Sequence, residues 1–232
     1  MESLKHKFTN TFARLPGEFF RQTRPTPLDN CHLVNVNEKM ASKLGITPHI
    51  YQSRLFIDVF NGVQTYAGFT PIATVYAGHQ FGTYVPQLGD GRAILLGEMA
   101  TGTGEPHELQ AKGAGLTHYS RSGDGRAVLR STIREYLCSS AMYGLGIPTT
   151  QALCLMASTT EVYRETIEKA ALLIRVAPSF IRFGSFEYFH YQSRPDLVKK
   201  LADYTIQKYF PQAIEQANPY GFFFQAVVTR TA

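Results

Sequence analysis

The chain has 232 residues, 44% of them hydrophobic and 18% charged, a composition able to bury about 70–75% of the extended surface in one or two domains. Its 23 basic and 18 acidic residues leave a charge of +5. The basic residues are scattered among acids, which argues against a nucleic-acid stripe and for local sites that take a small anion.

Cys31, Cys138 and Cys154 form no Cys-x-x-Cys pair and read as reduced, core-type thiols. No apolar run approaches membrane-spanning length, and Met1–Phe8 lacks a hydrophobic signal core. The early Lys and Arg residues resemble a transit peptide, but Glu2, Glu18 and the scarcity of serine speak against one. A cytoplasmic protein with no membrane partner is the expectation.

In chain order, residues 1–75 open with turn punctuation at Arg24-Pro25-Thr26-Pro27. A strand over His32–Val36 leads to a helix that starts near Asn37 and stops at Gly45. No chemistry stands out here, and the segment reads as an extension packed on the residues after it.

Most of the 19 glycines lie between Gly78 and Gly125, the mark of a turn-rich β region. Within it Gly-Asp-Gly-Arg-Ala occurs twice, at Gly89–Ala93 and Gly123–Ala127. The spacing predicts a hairpin of Val85–Leu88 and Arg92–Met99 around an Asp-Gly corner. After a loop over Thr101–Pro106, the strand His107–Lys112 sends Leu109 and Ala111 to one face. Glu108, Gln110 and Lys112 go to the other.

The pattern then turns helical. Val128, Leu129, Ile133, Tyr136, Leu137 and Ala141 recur at three- and four-residue spacing until Gly144 and Gly146. Strands over Thr150–Met156 and Ala171–Val176 come next, then helices over Pro195–Phe210 and Ile214–Arg230. The last pattern runs to Ala232 without a cap and reads as a truncation.

Two glycine turns bearing cations flank Lys112, and polyphosphate recognition needs such parts: close backbone approach and fixed positive charge. Glu135 borders the apolar stripe of its helix, and a carboxylate leaving water needs a partner. Lys112 is one candidate; local pairing with Arg130, Ser131 or Arg134 is the other. Strand lysine, upstream glycine turn and helix glutamate together form the phosphate-positioning set of protein kinases. Arg175 is a cation in an apolar strand run, open to a phosphate or to a carboxylate such as Glu161 or Glu165. The seven histidines make no metal-binding spacing, and His79 and His118 read as backbone-bonded turn residues. The aromatics of Phe186–Tyr191 read as core.

Several runs carry a resemblance. They are Tyr76–Gly82, Gln87–Ala93, Glu108–Gly115, Tyr119–Val128, Ser131–Glu135 and Gly144–Thr150. From about Phe12 to the last residue the chain resembles the selenoprotein-O family. The resemblance implies an α+β, protein-kinase-like fold. A β-rich amino-terminal lobe over 76–177 would carry the nucleotide loops, and 178–232 would begin a helical, truncated carboxyl-terminal lobe. It implies transfer of AMP from ATP to protein hydroxyls, with the nucleotide reversed relative to ordinary kinases. UMP transfer with Mn²⁺, phosphoryl transfer and a non-catalytic ATP-binding fragment are the alternatives.

By motif, Gly89, Gly91 and Arg92 resemble the family's nucleotide loop. Lys112 is similar to its phosphate-binding lysine, with Glu135 as ion-pair partner. Asp124 and Gly125 match a second nucleotide contact, and Arg175 and Arg182 match the arginines that hold phosphate in the reversed pose. No catalytic base and no metal ligand is identified in this chain. Both, with Mg²⁺ or Mn²⁺, are expected beyond Ala232. ATP and protein substrates are the implied partners.

Overall fold

The computed structural model describes residues 8–232, so the reading of Met1–Lys7 lies outside the described residues. The strands are β1 (Phe8–Thr9), β2 (Phe20–Gln22), β3 (His32–Val36), β4 (Ile72–Thr74), β5 (Gly78–Gln80) and β6 (Thr83–Val85). They continue with β7 (Ala93–Ala100), β8 (Pro106–Lys112), β9 (Ala127–Val128), β10 (Gln151–Tyr163) and β11 (Ile167–Ala177). The helices are α1 (Glu38–Lys43), α2 (Pro48–Tyr51), α3 (Arg54–Phe60), α4 (Leu129–Gly144), α5 (Phe183–Tyr191), α6 (Pro195–Tyr209) and α7 (Pro219–Thr231). The class is α+β.

The described residues divide into two units, 8–75 with 88–181, and 76–87 with 182–232. In the first, a large antiparallel sheet runs in the order β2-β4-β7-β8-β11-β10-β3, with β1 on β7 and β9 on β11. Alternation along the strands gives it two faces. Ile94 and Leu96, Leu109 and Ala111, and Leu172, Ile174 and Val176 form one core with Met40, Leu44, Phe56 and Phe60 of the α1–α3 region. On the opposite face Ala152, Leu155, Ala171 and Leu173 pack against Leu129 and Tyr136 of α4. Residues 8–75 contribute β1–β4 to this same sheet. In α1 the Asn37 side chain caps Met40 N–H, and Gly45 follows at φ +68°.

The second unit pairs β5 with β6 and contains α5–α7. Phe189, Leu197, Leu201 and Ile206 are buried. Gly184 sits so close to Ala77 that a Cβ would lie 1.8 Å from the Ala77 carbonyl oxygen.

Several expectations are corrected. The hairpin through Gly89–Gly91 does not form: β6 turns back onto β5, and β7 pairs with β4 and β8 instead. The reason is Asp90, which is buried rather than at an exposed corner. Its Oδ2 accepts from Thr74 N–H at 3.0 Å and Thr74 Oγ1 at 2.7 Å, pinning the loop to β4. The predicted strands at 150–156 and 171–176 extend to Gln151–Tyr163 and Ile167–Ala177.

Val128 belongs to a strand, and α4 buries Thr132 while Ile133 and Leu137 are exposed. The last helix starts at Pro219, because proline suits a first helical turn and Asn218 caps Gly221 N–H. Cys138 is exposed, whereas Cys31 and Cys154 are buried. His79 and His118 make edge contacts with the Tyr84 and Tyr119 rings. In the aromatic run, Phe189 is buried and Tyr191 exposed.

Candidate functional site

Lys112 ends β8, and the ladder decides what stands beside it. It is opposite Ala93 of β7 and Leu173 of β11, while Gln110, on the same face, is opposite Arg175. α4 lies over that face and brings Glu135 to both cations. Glu135 Oε2 accepts from Lys112 Nζ, and Oε1 accepts from Arg175 Nη1 at 3.1 Å. The Lys112 and Glu135 side chains are each 28% exposed and Arg175 14%. Two cations therefore share one carboxylate, leaving a half-buried excess of positive charge.

Ionisation follows from that arrangement. Burial pulls the Lys112 ammonium below the usual lysine range; Glu135 opposes this, while Arg175 and Arg92 add to it. Burial pushes the Glu135 carboxyl up, but Lys112 and Arg175 outweigh it and hold the group below the usual glutamate range. Lys112 and Glu135 face each other as a charged pair.

Arg175 has two further neighbours. Its Nη2 donates to Gln110 Oε1, and its guanidinium lies 5.3 Å from the Phe180 ring centre. Its Nε is buried and has no hydrogen-bond partner among the described residues.

The first Gly-Asp-Gly loop is closed inward. Asp90 N–H donates to Thr74 O, and Gly91 N–H donates to Gly89 O. Thr117 and Ser120 hydroxyls donate to the Asp90 and Gly91 carbonyls, both at 2.6 Å. Gly89, at φ +62°, lies so near the Tyr119 ring that a Cβ would stand 2.3 Å from it. With the N–H groups of Asp90 and Gly91 taken, the loop offers outward the exposed side chain of Arg92.

The second loop holds cations in place. Asp124 accepts from Arg164 Nη1 at 2.8 Å and Nη2 at 3.0 Å, and caps Arg126 N–H at 2.9 Å. Arg126 donates to Thr26 O at 2.8 Å and reaches Gly113 O at 3.4 Å. Gly125 stands at φ +69° against Gly115.

Beside these groups lies a cleft of about 460 Å³. Arg92, Lys112, Arg126, Arg130, Arg134 and Arg164 face it, with Glu135 at its edge. A second hollow of about 230 Å³ shares Glu135 and Cys138 with the cleft and is lined also by Arg175, Met142, Ala152 and Leu173. The structure thus gathers Arg92, Lys112, Glu135 and Arg175, and places Asp124 behind the cleft through Arg164. Arg182 belongs to the second unit, where it begins α5 with its guanidinium 4.8 Å from the Tyr76 ring centre.

Among the described residues no group of three or more His, Cys, Asp or Glu could hold a metal ion. The nearby carboxylates Glu135 and Asp124 are committed to cations, so the residues present do not fit a divalent cation. Sequence reasoning weighed Arg130 and Arg134 only as local partners of Glu135 and Gln110 only as a face-mate of Lys112, and it missed Arg164. The spacing of Arg130 and Arg134 on one helix was a usable signal; Arg164, in the turn between β10 and β11, gave none.

A family described as protein adenylyltransferase SelO matches residues 2–232. The chain is 50% identical over 226 residues to a protein nucleotidyltransferase YdiU of Myxococcus xanthus (strain DK1622), covering 97% of this chain and 46% of that one. The namesake of Thioalkalivibrio sulfidiphilus (strain HL-EbGR7) gives the same identity and coverage. That of Thiobacillus denitrificans (strain ATCC 25259 / T1) is 50% identical over 232 residues, covering 100% of this chain and 47% of that one. The chain spans about half the length of the curated relatives it matches.

Proposed function

The chain belongs to the family described as protein adenylyltransferase SelO, and on that premise we propose that it carries the nucleotide-binding part of a protein nucleotidyltransferase. The reaction is AMP transfer from ATP to protein hydroxyls, on a kinase-like scaffold. The acceptor oxygen bonds to the α-phosphorus, the bond to the bridging oxygen breaks, pyrophosphate leaves, and the hydroxyl proton passes to a base.

The observation that carries this reading is the Lys112–Glu135–Arg175 cluster, two cations on one carboxylate beside a cleft lined with arginines. Negative charge grows on the departing β- and γ-phosphates, and fixed cations in a partly dry site favour that growth. The Nε of Arg175, buried and with no hydrogen-bond partner among the described residues, is a donor that an anion's oxygen entering beside it would satisfy. Glu135 keeps the two cations from repelling each other while the cleft is empty. Gly89 and Gly91 act by letting the loop close on Tyr119, with Arg92 as the contact it presents. Asp124 and Gly125 act by holding Arg164 and Arg126 in place. Arg182 is a candidate phosphate contact by its motif alone.

The test uses the whole protein of which this chain is the nucleotide-binding part, since this chain alone is expected not to transfer, with ATP labelled on either the α- or the γ-phosphate, a protein acceptor and Mg²⁺ or Mn²⁺. Label from the α-phosphate on protein is expected, and Lys112→Ala should abolish it. Transfer of γ-label instead would make the protein a kinase. UTP outcompeting ATP would make it a uridylyltransferase.

A further inference from the structure

We propose that Gln110 is a positioning residue that sets the direction of the Arg175 guanidinium and couples it to the first Gly-Asp-Gly loop; the effect on nucleotide rests on the reading above. Gln110 is 1% exposed, in the middle of β8 between Leu95 and Arg175. Its Oε1 accepts from Arg175 Nη2, and its Nε2 donates to Asp90 Oδ1 at 3.4 Å. One side chain thus touches a guanidinium on one side and a carboxylate on the other.

The chemistry demands an amide there. A carboxylate would face Asp90, an ammonium would face Arg175, and an apolar side chain would remove both hydrogen bonds. The amide of Gln110 donates to one neighbour through Nε2 while accepting from the other through Oε1, at the reach this strand position requires. The charges also fix which way the amide points, because the reversed orientation would set NH₂ against the guanidinium.

Asp90 is anchored in turn by Thr74 N–H and Oγ1, and lies between Gly89 and Gly91. The bonded path therefore runs from Thr74 through Asp90, Gln110, Arg175 and Glu135 to Lys112. It ties the loop that presents Arg92 to the two cations shared by Glu135. With Nη1 on Glu135 and Nη2 on Gln110, the guanidinium cannot rotate, so its Nε–H holds one direction.

The experiment compares wild type with Gln110→Leu and Gln110→Glu in two readouts. The first is the ratio of ATP to AMP affinity by calorimetry, which a merely structural role would not move. Gln110→Leu is expected to cut ATP affinity about ten-fold, the scale of a charge-assisted hydrogen bond, with AMP affinity unchanged. Gln110→Glu keeps an acceptor for Arg175 and is expected to retain most of the ATP preference.

The second readout is amide hydrogen exchange in residues 88–92 without nucleotide, expected to rise in both variants because the link to Asp90 is lost. A folded Gln110→Leu with the wild-type affinity ratio overturns the proposal. If Gln110→Leu does not fold, Gln110→Glu decides, and unchanged exchange in the loop overturns it. If wild type binds neither nucleotide, the nucleotide reading falls. Loop exchange then decides for Gln110: a rise supports the coupling, and no rise overturns it.

Discussion

Glu135 divides its two carboxylate oxygens between Lys112 and Arg175, Oε2 to the first and Oε1 to the second. The division makes the three positions unequal. Without Lys112, Glu135 still has Arg175; without Glu135, two half-buried cations face each other.

Glu135→Gln is therefore expected to destabilise the protein more than Lys112→Met. The loss for Glu135→Gln should be about 2–3 kcal/mol, less than for a fully buried pair because the side chains keep some contact with water. Lys112→Met should cost under about 1 kcal/mol, since it also removes a desolvated ammonium. Urea unfolding midpoints measure both. Equal losses would show that Arg175 contributes nothing to holding Glu135.

The pH dependence follows from the same carboxylates. Glu135 is held below its ordinary value of 4.5 by cations that outweigh burial. Asp124 is held below 3.8 chiefly by Arg164. A lowered folded-state pKa contributes stability that is complete above the unfolded value and lost as pH falls through the folded one. Stability should thus decline as pH drops below about 4.5, and the decline should be shallower in Glu135→Gln and Asp124→Asn. Lys112 has the opposite sign of consequence. Its lowered pKa marks a cost to the charged form, relieved as pH rises through the folded value toward the unfolded one. Thermal melts from about pH 3 to about pH 10 check both limbs.

How much of this was legible depends on how local the cause is. The α1 helix could be read because Asn37 and Gly45 carry its start and stop in their own chemistry. Lys112 and Glu135 could be paired as candidates because strand alternation and helical phase are short-range properties. The hairpin at Gly89–Gly91 was misread because Thr74, sixteen residues away, captures Asp90, and no local pattern reports such a partner. Gln110 was placed on the correct face of its strand, yet its role depends on β11 pairing in one register and on Asp90 folding inward. The exposed stripe of α4 was misjudged for a related reason. Leu129, Thr132 and Tyr136 meet the sheet, and periodicity alone does not say which of two adjacent stripes is covered.

The thiols offer a direct probe of the cleft. Cys154 is buried and its thiol is pushed far up by burial; Cys31 is pushed up to about 11, also mainly by burial. Cys138 is exposed and borders both hollows beside Glu135. A thiol reagent should modify Cys138 alone in the native protein, the other two reacting only on unfolding. Saturating ATP should slow the native reaction. Labelling of Cys138 that ignores ATP would place the nucleotide away from Glu135.

Arg92 tests what the glycine loop contributes. The N–H groups of Asp90 and Gly91 are spent inside the fold, so on the proposed reading the loop contributes affinity through its cation rather than as a backbone cradle. Arg92 is exposed, so its removal should leave the unfolding midpoint unchanged. A triphosphate carries more charge than a monophosphate, so Arg92→Ala should weaken ATP binding about ten-fold and AMP binding far less. Added salt screens exposed charges, which gives an independent reading. Raising ionic strength should erode ATP affinity in wild type and erode it less in Arg92→Ala. Calorimetry of both proteins at low and high salt measures these affinities. An Arg92→Ala protein that binds ATP as tightly as wild type, with the same salt dependence, would return the recognition role to the backbone of the loop and require it to open when nucleotide binds.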